Sequence, residues 1–474
     1  MKYKKITKLL SLVLCCSFVV SSLGACEFAG EKKVFEPMEI EEVDTYSFDF
    51  IGGRNVMPIT AYHGPQTYQY SAQGQTIPDY FTDEFMQKIA DIGVNLVVAT
   101  GVDYTKNTDK AKKLLELGNK YGVGMFLHDT TVNANLDDDT LSIEELDAQI
   151  NQYINEPSCC GLYIIDEPAN AEYYPEQTQK YISRYGKLFQ NLDALNVFGY
   201  CNLYPMVNLG VKDKYDNYIK EFAETCKVKV LSYDKYPFEN DNSLKNAGDW
   251  FTNLSIIRKT AEESNIPFWS FIQAGSQWND AQNHFDTNGY YPEEGSFNWL
   301  VHTSLAFGAK GIQYFPLLQP YWFAYASTEP FDFERNGLIG AWGNKNRWYY
   351  YAQEINKQIV AVDEVLMNSV NKGIIISGKE IADDFEGVDY LIEGKEWREL
   401  KNVTGDLMIG CFNYQGKSAF YVVNYDNEYA QKVTLDFWDN YDMKVVQNAE
   451  TKYVNTDALK LTLAAGEGVL IVME

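Results

Sequence analysis

Between Pro58 and Pro316 the chain alternates two textures. Short, nearly continuous apolar runs are separated by longer stretches in which apolar residues recur every three or four positions. The runs are Pro58–His63, Asn95–Thr100, Gly122–His128, Gly161–Asp166, Val197–Leu203, Val228–Asp234, Pro267–Gln273 and Gly311–Pro316. Apolar runs of this length, without polar alternation, predict parallel strands covered on both faces. The stretches between them carry helix signals. Thr82 stands as a cap before Asp83 and Glu84, and Ser142 before Glu144 and Glu145. Lys110–Lys120, Gln177–Leu192, Asp213–Thr225, Ala247–Glu263 and Phe297–Phe307 continue the series, and Arg347–Val362 follows as a last helix. Eight strand-then-helix units in succession predict an α/β fold, a closed (β/α)8 TIM barrel. No Gly-rich phosphate loop follows the first strand, which argues against a dinucleotide fold.

Beyond residue 370 the pattern shortens to a period of two. Gly373–Ser377, Leu407–Cys411, Ala419–Asn424, Lys432–Phe437, Lys444–Gln447, Leu459–Leu463 and Gly468–Val472 read as strands joined by Gly, Asn and Asp turns. A C-terminal antiparallel β-sandwich is expected there.

The N-terminus has a different character. Lys2, Lys4, Lys5 and Lys8 precede an apolar stretch, Leu9–Val20, which is too short to span a bilayer and ends at Leu23-Gly24-Ala25-Cys26. Small residues directly before a Cys resemble the bacterial lipoprotein processing site. The resemblance implies cleavage before Cys26, lipid on its sulfur, and an exported chain anchored to the bacterial cell membrane and facing outward. The expected layout is a signal peptide at 1–25, a tether at 26–43, the barrel at 44–365 and the sandwich at 366–474.

Composition narrows the partners. The formal net charge is −26 over 474 residues, which argues against nucleic acid or an anionic membrane surface as a partner, leaving the lipid anchor as the membrane contact. Aromatic residues make up 15%, including 35 Tyr and 9 Trp, and their rings suit stacking on sugars as well as filling a large core. Five cysteines follow Cys26 (159, 160, 201, 226 and 411), an odd number with no zinc-like spacing, and the chain has four His. No metal or cofactor is expected.

In a (β/α)8 barrel the active site is built at the C-terminal ends of the strands. The fourth strand ends Ile165-Asp166-Glu167-Pro168. Two carboxylates there suit catalysis; they also suit a cap and first turn of the following helix. The run resembles the Asn-Glu-Pro signature of the retaining glycosidase clan that includes the β-galactosidases of glycoside hydrolase family 42. Pro58-Ile59-Thr60-Ala61-Tyr62 and Leu305–Ile312 are also similar to that group. The resemblance covers roughly residues 55–360 and implies Glu167 as acid/base, with Asp166 standing where the clan has Asn. It also implies a nucleophilic Glu at the end of strand seven, where this chain has Gln273. An amide cannot be that nucleophile.

A second carboxylate is therefore sought elsewhere. Asp234, at the end of strand six, is the first choice, although a salt bridge to Lys235 also suits it. Glu293, Glu294, Glu329 and Glu334 are alternatives in loops. The Tyr233-Asp234 pair also looks like the strand-six end of chitinase-type barrels, which implies Asp166 as helper and Glu167 as acid while a substrate acetamido group acts as nucleophile. Tyr62, His63, His128, Asn202, Tyr204, Tyr236, Gln273, Trp278, Tyr314 and Trp322 are the expected sugar-binding residues, with Asp103, Tyr104, Asp129 and Trp342 as further rim residues. Two functions compete. One is a cell-surface glycoside hydrolase acting on an oligosaccharide or polysaccharide. The other is a non-catalytic glycan-binding lipoprotein on a degenerate barrel, which Gln273 favours. A structural barrel unrelated to sugar is a third reading, since fold alone does not give function.

Overall fold

The structure is a computed structural model. It describes residues 33–474 except 73, 139–140, 169–174, 207–211, 239–242, 277, 280–283, 286–290, 321–334 and 379–380. Residues 1–36 and 37–474 form separate units, and all the helices and strands described here belong to the second. The leader, Cys26 and the first part of the expected tether lie outside the described residues.

Eight parallel strands close into a barrel. They are β1 (Ile59–Tyr62), β2 (Leu96–Asp103), β3 (Gly124–His128), β4 (Cys159–Asp166), β5 (Gly199–Leu203), β6 (Leu231–Tyr233), β7 (Phe268–Gln273) and β8 (Ile312–Phe315). Each falls on one of the predicted runs. The order around the barrel follows the chain, and β8 closes on β1 through Ile59↔Ile312 and Ala61↔Tyr314. The helices form where the caps predict them: the Thr82 side chain accepts from Phe85 N, and Ser142 with Glu145 forms a complete capping box.

Alternation along the strands sorts side chains into two cores. Ile59, Ala61, Val97, Met125, Leu127, Leu162, Ile164, Leu231, Ile272 and Tyr314 pack outward against helices. Leu96, Val98, Phe126, Phe198, Tyr200, Trp269 and Phe271 fill the barrel interior, together with Phe48 from the segment before β1. Phe48 meets Phe198 at 5.2 Å and Phe126 at 5.7 Å between ring centroids, so the incoming chain plugs the barrel with an aromatic side chain. The interior is a packed core, which leaves the chemistry to the strand ends.

The helix Arg347–Met367 is the last of the barrel domain among the described residues. After it comes a seven-stranded antiparallel sheet. It folds over a second core that includes Ile409, Cys411, Phe420, Val422 and Ile471. The opposite, alternate residues of the same strands (Met408, Phe412, Tyr421, Leu470 and Val472) join the barrel-side core. This is a TIM barrel followed by a β-sandwich, and the two pack directly against each other. His302 Nδ1 stands 2.8 Å from the Tyr421 hydroxyl, and Arg258 donates to Asn371 Oδ1 at 2.9 Å and to its carbonyl at 3.0 Å. One sheet residue sits so close to a barrel helix that only Gly fits: a Cβ on Gly410 would stand 2.2 Å from the Ala306 carbonyl oxygen. Gly410→Ala is therefore expected to destabilise the protein by about 1–3 kcal/mol, read as an earlier midpoint in urea unfolding. An unchanged midpoint would show that the two domains do not depend on this contact.

The expected tether is fixed well before residue 44. Met38 N donates to Gly416 O at 2.8 Å, Asn413 Nδ2 donates to Glu39 O at 2.7 Å, and Glu41 pairs with Lys372 at 2.8 Å. The five described cysteines are all unpaired thiols, and burial pushes Cys159, Cys160 and Cys226 up to about 12. Among the described residues no helix is long and apolar enough to cross a membrane.

Candidate active site

A cavity of about 350 Å³ opens at the C-terminal ends of the strands. Asp166, Glu167, Asn202, Asp234, Tyr236 and Gln273 line it, and Tyr62 and Tyr204 complete the set of expected residues that reach it. Phe271 and Phe315 form apolar walls, and the Tyr236 ring stacks on Phe315 with centroids 5.6 Å apart.

Glu167 is held in an unusual backbone. Its φ is +46°, a left-handed conformation outside the favoured range of a residue with a Cβ, and its N–H donates to Asn202 O at 2.9 Å. Such a conformation costs on the order of 1–3 kcal/mol and clusters at functional sites. Here it turns the chain sharply between the end of β4 and Pro168. Asp166 and Glu167 are open to solvent from the mouth.

Three carboxyls meet in this cavity. Asn202 Nδ2 donates to Asp166 Oδ1 at 3.2 Å and to Asp234 Oδ1 at 2.8 Å, so one amide bridges two acids. Protein crowds Asp166 on every side but the mouth, and this desolvation raises its carboxyl, while Asn202 and the nearby Tyr62 hydroxyl pull the other way. Asp234 is shifted much further. Burial and then the charge of Asp166 push it up to about 7, against hydrogen bonds from Asn202 and Glu167. Two carboxyls can share a hydrogen bond only through a proton on one of them. Glu167 and Asp234 therefore titrate as an interacting pair, with Asp234 raised by its burial and by the charge of Asp166.

Glu167 and Asp234 both line the cavity, close enough for Glu167 to lower the Asp234 carboxyl through a hydrogen bond.

Gln273 stands at the end of β7, where the resemblance implied a nucleophile. Its Nε2 donates to Phe238 O at 2.8 Å and to Gly275 O at 3.0 Å, which fixes the residue as an amide. Gln273→Glu would turn a carboxylate oxygen onto two carbonyls. It is expected to lose about 1–3 kcal/mol of stability by thermal unfolding and to gain no turnover. A gain in glycoside hydrolysis would show that the position is a vacated nucleophile site.

Other expected residues take different places. Tyr314 faces outward: its hydroxyl donates to Asn356 Oδ1 at 2.6 Å and its ring stacks on Phe297, so it offers no platform to a sugar. The strand period explains this, since Gln313 beside it takes the inward place. His63 and His128 do not line the cavity. His63 Nδ1 lies 3.0 Å from Thr100 Oγ1, and burial pushes its imidazole down to about 4, so it is neutral at pH 7. Burial also lowers His128, whose ring meets Tyr163 edge-on. Asp103 and Asp129 hold loops together. Asp103 accepts from Thr105 N and Thr130 N, and Asp129 from the Tyr153 hydroxyl and Gln149. Trp342 packs beside Ala341 and Tyr70. Of Trp278 only the backbone is described, and Trp322, Glu329 and Glu334 lie outside the described residues. Among the described residues no cluster of three His, Cys, Asp or Glu could hold a metal ion.

No protein-family model matches the chain, and no curated protein matches it. Solved structures share parts of its chain path. A β-galactosidase from the psychrophilic Marinomonas ef1 is 10% identical at a TM-score of 0.47, covering 70% of this chain and 65% of its own. A family 51 α-L-arabinofuranosidase, AbfB from Bifidobacterium longum, is 10% identical at 0.46, covering 92% and 98%. A GH30 endoxylanase from Clostridium papyrosolvens C71 is 12% identical at 0.40, covering 88% and 99%. The chain thus spans less than two thirds of that β-galactosidase's length. What it does is read from the residues at the mouth of the barrel.

Proposed function

We propose that this chain is a glycoside hydrolase in which Glu167 is the general acid. The observation that carries this reading is the meeting of Glu167, Asp234 and Asp166 in one cavity at the strand ends, where burial and the charge of Asp166 raise the Asp234 carboxyl. A proton held at neutral pH next to a strained, solvent-accessible carboxyl is what protonation of a leaving glycosidic oxygen needs. Asp166 lies next to the acid as a negative charge that favours an oxocarbenium-like transition state, and the tyrosines at the rim supply hydroxyls and ring faces for the sugar. Export and a lipid anchor on Cys26 belong to the same proposal: the enzyme works at the outer cell surface on an oligosaccharide or polysaccharide.

The experiment is a screen of the purified domain on aryl glycosides and oligosaccharides, with Glu167→Gln as control. The panel includes 2-acetamido sugars. With Asp234 engaged by Glu167 and an amide at residue 273, the substrate's own acetamide is a nucleophile the site does not itself have to supply. Undiminished turnover of unactivated oligosaccharides by Glu167→Gln would sink the acid assignment. A second reading, a glycan binder without turnover, is favoured by one observation, the double anchoring of the Gln273 amide. It predicts tight oligosaccharide binding by calorimetry and no product with any member of the panel.

A further inference from the structure

Below the carboxyls, a line of polar side chains crosses the barrel interior, where branched apolar residues usually fill the space. The Tyr200 hydroxyl (β5) donates to Gln313 Oε1 (β8) at 2.6 Å. Gln313 Nε2 donates to Ser232 Oγ (β6) at 2.7 Å. Ser232 Oγ donates to Asn202 Oδ1 at 3.1 Å, and it lies 2.9 Å from the Tyr200 hydroxyl. The line ends on the two bonds from Asn202 Nδ2 to Asp166 and Asp234. Tyr200, Ser232, Gln313 and Asn202 are each no more than 3% exposed.

The chain of donors has a direction. Turning the Gln313 amide over would draw the Ser232 proton to Gln313 and leave Asn202 Oδ1 without a donor. Turning Asn202 over would aim its carbonyl at two acids. As drawn, every member has a partner, which is the condition under which a buried polar network is stable and rigid. Apolar residues of similar size would fill this layer without that requirement. The network therefore has a use beyond packing, and it ends at the acids.

We infer that Tyr200, Gln313 and Ser232 are positioning residues for the reaction. They fix Asn202 as a double donor, and Asn202 in turn holds Asp166 and Asp234 in place beside Glu167. The inference rests on Glu167 being the acid. The other titratable groups facing the cluster include Tyr62 from β1, Tyr163 from β4, Cys201 from β5, Tyr233 from β6, Tyr236 beyond it, and Tyr215 from the helix after β5.

The test compares Ser232→Ala, which removes the donor to Asn202, with Ser232→Thr, which keeps a hydroxyl, and with Tyr200→Phe, which removes one link further back. Each is measured for kcat and KM on the best glycoside of the panel, for the pH profile of kcat, and for carboxyl titration by ¹³C NMR of protein labelled at Asp and Glu carboxyls. Ser232→Ala is expected to lower kcat about tenfold, the worth of one buried hydrogen bond, with KM within about twofold. With Asn202 released, the carboxyl titration near pH 7 and the alkaline limb of kcat move together to higher pH. Tyr200→Phe moves them the same way by less, and Ser232→Thr restores the parent profile. A lower melting temperature with an unmoved limb and titration in both Ser232→Ala and Tyr200→Phe overturns the inference, because the line is then only structural. If the parent protein turns over no glycoside, the functional reading fails by itself. The titration of Ser232→Ala still decides whether the network controls the acids.

Discussion

Replacing Glu167 with Gln is expected to lower kcat on an oligosaccharide by about two to four orders of magnitude, the usual worth of a positioned general acid. The substitution is close to isosteric and keeps an acceptor oxygen, so the left-handed turn before Pro168 has no new reason to move. The loss should depend on the leaving group. A nitrophenolate departs without a proton, so aryl glycosides with acidic phenols should lose far less than glycosides of sugar alcohols. KM should change little, because protonation belongs to the transition state and not to binding. The checkable result is a steep dependence of kcat on leaving-group pKa in Glu167→Gln that is shallow in the parent. Equal losses on all leaving groups would mean that Glu167 does something other than protonate the departing oxygen.

The barrel was legible in the sequence because parallel strands buried on both faces leave unbroken apolar runs, and each of the eight runs became a strand. The strand-end rule then placed Asp166, Glu167, Asn202, Asp234 and Gln273 together. What the runs could not show was direction within a strand. Tyr314 and Gln313 are adjacent, and only the period of two decides which faces inward. The inward one, Gln313, is polar, and the expected platform, Tyr314, is packed behind the barrel. Tyr200, Ser232 and Gln313 carried no signal by themselves, since isolated polar residues in apolar runs look like ordinary interruptions. Their meaning comes from three strands meeting in one layer. A pair of signals did exist for the structural acids: Asp103 and Asp129 each lie within two residues of a Thr, the pattern of a loop held by side-chain to backbone bonds. In the sandwich, two predicted runs, Lys432–Phe437 and Lys444–Gln447, proved to be one long strand, Gln431–Gln447. Its polar middle passes through an irregularity in the ladder with Glu450–Leu463.

Asp234→Asn should separate the two roles of the second acid, proton holder and source of strain. Asp234 Oδ1 accepts from Asn202 at 2.8 Å, and an Asn at this position keeps that acceptor while turning an N–H towards Glu167. Asn cannot carry a charge or take up a proton, so Glu167 loses an acidic neighbour and its charged form is favoured. In the parent, activity should fall as pH rises through about 7, where Asp234 ionises beside the acid. In Asp234→Asn the alkaline limb should move to lower pH. A displacement of about one unit or more costs roughly tenfold in kcat at pH 7 or above, while kcat near pH 5 changes little. Stability should change in the opposite sense. The folded carboxyl titrates near 7 and the unfolded one near 3.8, so its contribution is fully present below pH 4 and is lost as pH rises through about 7. Asn cannot ionise. Asp234→Asn should therefore melt at the parent temperature at pH 4 and above it at pH 8, while being the poorer catalyst at the higher pH. A variant that melts lower at pH 8, or whose alkaline limb stays in place, would show that Asp234 is an ordinary structural acid and that Glu167 holds its proton without it.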